Sequence, residues 1–224
     1  MKREKLAAVF FAAVIVLGLA ASAGAVDGTI DINQAKVLAA GGFPYVIGTA
    51  NTSYRLTGSL TVSSTFGIGI YVTANHVTID LNGFSIVGPG KLSLPPSAGI
   101  QSNTGALTVE NGTVTGFGTD ISTGNNSIVR NVHATASGGV GIETGNGAVI
   151  SGNTVNGNNM GISCFGSGCA IYGNTIDDNT GFGSYGIMAA DKTTGYGENV
   201  LWKNGTNVLG GTSMKNNVCS GAVC

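Results

Sequence analysis

The segment from Gly141 to Ile162 reads GIETGNGAVISGNTVNGNNMGI and contains one complete copy of a repeat that predicts the fold. The Gly-Ile pair that opens it recurs, once as Asp-Ile, at spacings of 30, 21, 21, 20 and 25 residues. The copies are Gly69-Ile70, Gly99-Ile100, Asp120-Ile121, Gly141-Ile142, Gly161-Ile162 and Gly186-Ile187. A period near 21 residues is typical of solenoids, in which each repeat makes one coil of the chain.

Each unit also contains a short run of strand-forming residues that leads to an asparagine. Alternating apolar residues such as Val77, Ile79 and Leu81 indicate strands with one buried face. The asparagines are Asn82, Asn111, Asn131, Asn153, Asn174 and Asn204. We expect them to stack on one edge of the rod, because Asn tolerates left-handed backbone and its amide can bond to the next coil.

The composition favours strands and turns over helices. Of 224 residues, 38 are Gly, and each Gly inside a helix costs about 1 kcal/mol relative to Ala. A hydrophobic content of 42% is too high for ordinary disorder. A formal net charge of -1 provides no basic surface for nucleic acid, so no nucleic-acid partner is expected.

In these features the chain resembles the right-handed parallel β-helix proteins of the pectin lyase-like superfamily. The resemblance covers roughly Tyr54 to Val218 and rests on the Gly-Ile pairs and the turns. These turns are Asn82-Gly83-Phe84, Asn111-Gly112-Thr113, Gly152-Asn153-Thr154, Gly173-Asn174-Thr175 and Asn204-Gly205-Thr206. The resemblance implies an all-β, single-stranded right-handed parallel β-helix (solenoid), and the repeat length gives about eight coils. It implies little about activity, because the superfamily includes lyases, hydrolases, epimerases, phage tail proteins and proteins with no known activity.

Residues 1–25 have the pattern of a signal peptide. Lys2, Arg3 and Lys5 precede an apolar stretch from Leu6 to Ala21, and Ala23-Gly24-Ala25 is a small-x-small cleavage site. An uncleaved membrane anchor is the alternative, but these 16 apolar residues fall short of a span, which needs about 20. We therefore expect a secreted or periplasmic protein whose mature chain has no membrane span.

The two ends of the mature chain are predicted to cap the solenoid. Residues 26–45 are assigned to an N-terminal cap, with a short helix that starts at Asp31 as N-cap and stops at Gly41 or Gly42. Residues 46–224 are assigned to the β-helix with a C-terminal cap. Such caps cover strand edges that would otherwise be unpaired.

Four cysteines form two pairs with identical four-residue gaps, Cys164 with Cys169 and Cys219 with Cys224. In an exported protein an even count suggests disulfides, and the equal gaps favour these two local bonds among three possible connectivities. For Cys169 an inward-facing side chain stacked in the core is nearly as good an interpretation.

The alternation also predicts an outward column of polar side chains beside the turns. Its members are Asp80, Glu110, Arg130, Ser151, Tyr172 and Lys203. These residues are the candidate ligand-binding set, since long flat faces suit extended polysaccharides. Trp202 aligns with Val109 and is therefore predicted to lie in the core.

Two classes of function follow from this column. In the first, the protein is a non-catalytic carbohydrate-binding or surface module that needs no cofactor, and Glu110 and Arg130 form a solvated ion pair. In the second, which the resemblance to pectate lyases suggests, Asp80, Glu110 and Arg130 are catalytic, with Arg130 as base and a carboxylate-bound calcium ion. An ice-binding rod is a distant third, because the threonines form no regular T-x-T array.

Overall fold

The structure is a computed structural model that describes residues 28–91, 96–181, 183–220 and 222–223. These residues form an all-β parallel solenoid of about nine turns with almost no helix. The predicted fold class is therefore confirmed as a parallel solenoid, whereas its right-handedness stays an expectation from the resemblance. The predicted signal peptide lies outside the described residues.

Each complete coil contributes strands to three surfaces, and we number the outer side of each surface as a face. Face 1 is formed by β1 (Thr29–Ile32), β3 (Thr52–Leu56), β6 (Val77–Asp80), the first parts of β9 (Leu107–Thr115) and β11 (Ile128–Thr135), β13 (Val149–Ser151), β16 (Ala170–Tyr172), β19 (Gly195–Gly197) and β22 (Thr212–Ser213). Face 2 is formed by β4 (Leu60–Thr61), β7 (Ser85–Val87), the second parts of β9 and β11, β14 (Thr154–Asn156), β17 (Thr175–Asp177), β20 (Val200–Trp202) and β23 (Val218–Cys219).

Face 3 is the outer side of a separate eight-stranded sheet. Its strands are β2 (Tyr45–Ile47), β5 (Ile68–Val72), β8 (Ala98–Ser102), β10 (Thr119–Ser122), β12 (Val140–Thr144), β15 (Met160–Cys164), β18 (Tyr185–Ala189) and β21 (Thr206–Leu209). The strands of all three faces pair in parallel with the coils above and below, and β24 (Ala222–Val223) closes the end by an antiparallel pairing with β23.

The Gly-Ile repeat marks one column of the core. Its isoleucines are direct neighbours in the eight-stranded sheet, and all of them are buried: Ile70, Ile100, Ile121, Ile142, Ile162 and Ile187. The glycine before each isoleucine lies where coils pack closely. At Gly141 an added Cβ would lie 2.7 Å from both Asn158 Nδ2 and a Val155 methyl carbon, so this position has no space for a side chain.

The face 1 sheet begins inside the segment that the sequence assigns to the N-terminal cap. Asp31 lies in β1, and the N-cap of helix α1 (Gln34–Ala39) is Asn33, whose side-chain oxygen accepts a hydrogen bond from the Lys36 N–H. The prediction of Asp31 as N-cap was wrong, because β1 pairs with β3 and adds a strand to face 1. This additional strand accounts for about nine turns instead of eight.

The asparagines do not form a single stack, which corrects the predicted register. Asn82, Asn111 and Asn131 have left-handed φ and lie where the chain passes from face 1 to face 2. Asn153 and Asn174 belong to a buried ladder that continues through Asn199 and Asn217. Asn204 belongs to a second ladder with Asn158 and Asn179.

Cys164 and Cys169 form a disulfide, with Cα atoms 6.5 Å apart. This bond confirms one of the two predicted pairs. The predicted partner of Cys219 is Cys224, which lies outside the described residues, so this pair stays a prediction.

Candidate functional site

The structure aligns five of the six predicted site residues in one column on face 1. Successive coils place Asp80 beside Glu110, Glu110 beside Arg130, and Arg130 beside Ser151, which in turn lies beside Tyr172. The next member is Gly197 and not Lys203. Lys203 lies in a turn after β20 with left-handed φ, because the insertion near Lys192 moves this part of the chain onward by one strand.

Two further charged residues extend the column toward the N-terminus. Arg55 lies beside Asp80, and Asp31 lies beside Arg55. The repeat pattern does not assign either residue to the column, because both precede the first Gly-Ile pair. The alternation in Thr52–Leu56, with Tyr54 and Leu56 buried, was the signal that could have placed Arg55 outward.

The charges in this column are paired with one another. Arg130 Nη2 lies 2.6 Å from Glu110 Oε2, and Arg55 Nη2 lies 3.1 Å from Asp31 Oδ1. Asp80 Oδ1 accepts hydrogen bonds from the Asn82 backbone N–H at 2.8 Å and from Asn111 Nδ2 at 3.1 Å. Hence the three carboxylates and two guanidinium groups form short ion pairs and hydrogen bonds along the rod.

A second outward column on face 1 carries hydroxyl groups beside these charges. It contains Thr29, Ser53, Thr78 and Thr108 in consecutive coils. Together the two columns line an open depression of about 220 Å³ that includes Arg55, Asp80 and Glu110. This surface presents many hydrogen-bonding groups at the coil spacing of about 4.8 Å.

An aromatic ring lies toward the C-terminal end of the charged column. Tyr172 is 42% exposed and borders a depression of about 260 Å³ with Gly197, Glu198 and Met214. The register partner of Tyr172 in the next coil is Gly197, which has no side chain to cover the ring of Tyr172. The arrangement offers one flat apolar surface at the end of a polar strip.

Face 2 carries two outward columns with different chemistry. One contains Ser85, Thr113, His133, Thr154, Thr175 and Val200; the other contains Val87, Thr115, Thr135, Asn156, Asp177 and Trp202. The His133 imidazole Nε2 lies 3.0 Å from Asn156 Oδ1. An open depression of about 280 Å³ lies beside His133 and Thr154, near the turn that separates faces 1 and 2.

The prediction that Trp202 lies in the core was wrong. Leu201 fills the inward position of β20 and is fully buried, whereas Trp202 is 46% exposed. The register pairs Trp202 with Asp177 on face 2. The same insertion that displaced Lys203 explains this error, because it shifts the alternation relative to the preceding units.

Two acidic residues outside the predicted set have raised pKa values. Burial raises the pKa of Glu143 on face 3, although a hydrogen bond from Ser122 partly opposes the shift. Glu143 borders a cleft of about 180 Å³ next to Pro96 and Ser97. Burial raises the pKa of Asp120 well above its usual range, and this residue replaces the glycine of one Gly-Ile pair inside the core.

Within the described part of the chain, no group of three or more His, Cys, Asp or Glu side chains is arranged to hold a metal ion. The helix in that part is too short to cross a membrane.

The chain matches no protein-family model, and it has no significant match among curated proteins or solved structures. The fold itself therefore defines the class: this protein is a parallel β-solenoid.

Proposed function

We propose that the protein is a non-catalytic carbohydrate-binding module that is exported from the cell and binds an extended polysaccharide along face 1. The observation that supports this proposal most directly is the register of the column from Asp31 to Tyr172. It aligns charged and polar side chains in consecutive coils and places an exposed aromatic ring at the C-terminal end. The basic, apolar and small-residue pattern of residues 1–25 supports export.

The pairing of the charges favours binding over catalysis. A general base needs a free acceptor at the reacting atom, in a site that restricts water. Arg130 instead donates to Glu110 at 2.6 Å from Nε, and its side chain is 52% exposed. Paired carboxylates and guanidinium groups on an open surface suit hydrogen bonding to sugar hydroxyls, because they both accept and donate at fixed positions.

The net charge of the column favours neutral polysaccharides over strongly acidic ones. Asp31, Asp80 and Glu110 outnumber Arg55 and Arg130, and each guanidinium already has a carboxylate partner. A uronate chain would place further negative charge beside these carboxylates, which is unfavourable. The exposed ring of Tyr172 can stack against the apolar face of a sugar.

A binding panel tests this proposal. The purified protein is examined by affinity electrophoresis in gels that contain glucomannan, arabinoxylan, hydroxyethyl cellulose or polygalacturonate. We expect retardation by at least one neutral polysaccharide, with affinity reduced about tenfold in Tyr172→Ala and Arg55→Gln. Lys203→Gln is the matched control, because it alters an exposed charge outside the column. Equal retardation of wild type and column variants, or no retardation by any of these polysaccharides, contradicts the proposal.

The same preparation separates binding from lyase activity. Incubation with polygalacturonate and calcium is monitored by the absorbance of unsaturated uronates. We expect no increase over a sample without protein. Product formation that depends on calcium and disappears in Arg130→Ala would overturn the non-catalytic assignment.

A further inference from the structure

We propose that face 2 contains a second, separate sugar-binding site, with Trp202 as the stacking platform and Asp177 and Asn156 as its hydrogen-bonding groups. Its ligand is a neutral pyranose ring of a polysaccharide chain that runs along the rod. The site differs from face 1 in position, because left-handed turn residues such as Asn131 and Glu198 separate the two faces.

Trp202 is held in an exposed position by its own strand. Leu201 fills the inward position beside Trp202, and the backbone N–H of Asp178 donates to the Trp202 carbonyl oxygen at 3.0 Å. The indole is therefore fixed outward by the pairing of β20 with β17. An exposed indole on a rigid strand offers a flat apolar surface, which is the usual basis of sugar stacking against an aromatic ring.

The neighbouring coils supply polar groups in line with this ring. Asp177 is the register partner of Trp202 in the preceding coil, and Asn156 is the register partner of Asp177 one coil further toward the N-terminus. With coils about 4.8 Å apart, a ring that stacks on Trp202 places its hydroxyls over Asp177, and the next sugar approaches Asn156. The exposed hydroxyl of Thr175 lies on the adjacent column of the same strand as Asp177.

The chemistry of these groups selects a neutral sugar. The Asp177 carboxylate accepts hydrogen bonds from hydroxyls and repels the carboxylate of a uronate. Asn156 both donates and accepts, and its Oδ1 is held 3.0 Å from the ring nitrogen of His133. A purely apolar partner would leave Asp177 and Asn156 desolvated without hydrogen bonds, which is costly.

Intrinsic fluorescence reports directly on this site, because Trp202 is the only Trp in the chain. Glucomannan, arabinoxylan and hydroxyethyl cellulose are titrated into the purified protein, with polygalacturonate as the acidic probe. We expect at least one neutral polysaccharide to shift the emission to shorter wavelength and to reduce quenching by acrylamide at least twofold. Polygalacturonate is expected to leave both unchanged.

Variants examined by affinity electrophoresis assign the effect to the named groups. Trp202→Ala is expected to weaken binding of the active neutral polysaccharide about tenfold, with a smaller loss in Trp202→Phe and a loss of several fold in Asp177→Asn. Phe165→Ala is the matched control, since Phe165 is 54% exposed and lies outside faces 1 and 2. Unchanged circular dichroism shows that each variant is folded.

The outcomes separate this site from the one on face 1. If the Tyr172 and Arg55 variants lose affinity while the Trp202 emission and the Trp202→Ala affinity do not change, only the second site is overturned. If Trp202 responds and the face 1 variants bind normally, the second site stands and face 1 is not the binding surface. Equal loss in Phe165→Ala, or a response to polygalacturonate alone, also overturns the second site.

Discussion

The side-chain amide of Asn153 donates to Oδ1 of Asn174 at 3.0 Å, and both side chains are buried. Asn153 Nδ2 also donates to the Val129 carbonyl oxygen at 2.9 Å, and its Oδ1 accepts from the Val132 N–H at 3.0 Å. The same contacts recur at Asn174 and Asn199. The ladder thus satisfies backbone groups at the corner between faces 1 and 2, where the strands of one coil are interrupted.

Replacement of Asn153 by Ala is expected to lower the free energy of unfolding by about 1–3 kcal/mol, because it leaves buried donors and acceptors without partners. Urea denaturation followed by circular dichroism measures this change. Asn103→Ala is the control, since Asn103 is exposed and makes a single side-chain bond to the Tyr71 hydroxyl; we expect a change within about 0.5 kcal/mol there. Equal losses of stability at both positions would show that burial of Asn153 in the ladder does not determine its contribution to stability.

Asp120 makes the stability depend on pH. The Phe117 N–H donates to its Oδ1 at 3.2 Å, while Oδ2 is buried and has no hydrogen-bond partner among the described residues. Burial raises the pKa of Asp120 well above its ordinary value of 3.8. Between these two pKa values the folded state binds more protons than the unfolded state, so this residue lowers stability as pH rises.

Asp120→Asn removes this dependence while keeping the size of the side chain. We expect the stability of the variant relative to wild type to increase as the pH rises above the ordinary aspartate pKa of 3.8, as measured by urea denaturation at several pH values. Asn103→Ala is the control, because it removes no titratable group, and it is expected to leave the pH dependence of stability unchanged. If Asp120→Asn does not change how the free energy of unfolding depends on pH, then folding does not raise the pKa of Asp120.

The sequence predicted the repeating part of the fold well and failed where an insertion interrupts it. The register from Asp80 to Tyr172 follows from a nearly constant position, 10 or 11 residues after the start of each Gly-Ile or Asp-Ile pair. In the last unit the strand was placed at Val200–Lys203, and Asn204 and Lys203 were assigned to the wrong columns. Asn199 was the available signal, since it lies 13 residues after Gly186, the same distance as Asn174 after Gly161.

The second ladder was not predicted because its asparagines follow the face 2 strand of each coil, whereas the predicted stack follows the face 1 strand. Asn158 and Asn179 come after the face 2 strands, and periodicity alone does not show which of several asparagines per coil points inward. The ion pairs of face 1 also depend on side-chain conformations that alternation leaves open. Column membership and the ion pair of Glu110 with Arg130 could be predicted, whereas the geometry of that pair needed coordinates.

Gly141→Ala tests the close packing at the Gly-Ile pairs. The added methyl group would meet Asn158 Nδ2 and Val155 at 2.7 Å, and such overpacking costs about 1–3 kcal/mol. Gly48→Ala is the matched control, because its nearest neighbour is the Thr73 hydroxyl at 3.6 Å. Thermal denaturation of both variants measures the difference, and similar melting temperatures would contradict tight packing at Gly141.

The disulfide between Cys164 and Cys169 closes a short loop, because the two cysteines have a sequence separation of 5. Loop-closure entropy predicts about 2 kcal/mol of stabilisation from so small a loop. The double variant Cys164→Ala, Cys169→Ala is expected to lose about this amount in urea denaturation. Reducing agent should lower the stability of the wild type by breaking this bond, which the double variant lacks. A double variant as stable as the oxidised wild type would show that the disulfide does not stabilise the fold.

The pair formed by Glu110 and Arg130 is expected to contribute little to folding. The Arg130 side chain is 52% exposed and Glu110 only 16% exposed, so water screens one partner well. Exposed ion pairs of this kind typically contribute about 0.2–1 kcal/mol. A double-mutant cycle with Glu110→Gln and Arg130→Gln measures this coupling by urea denaturation, and we expect it to weaken with added salt. Such a small coupling is consistent with a column that presents hydrogen-bonding groups to a ligand. A coupling above about 2 kcal/mol that is insensitive to salt would instead make the pair a structural element of the solenoid.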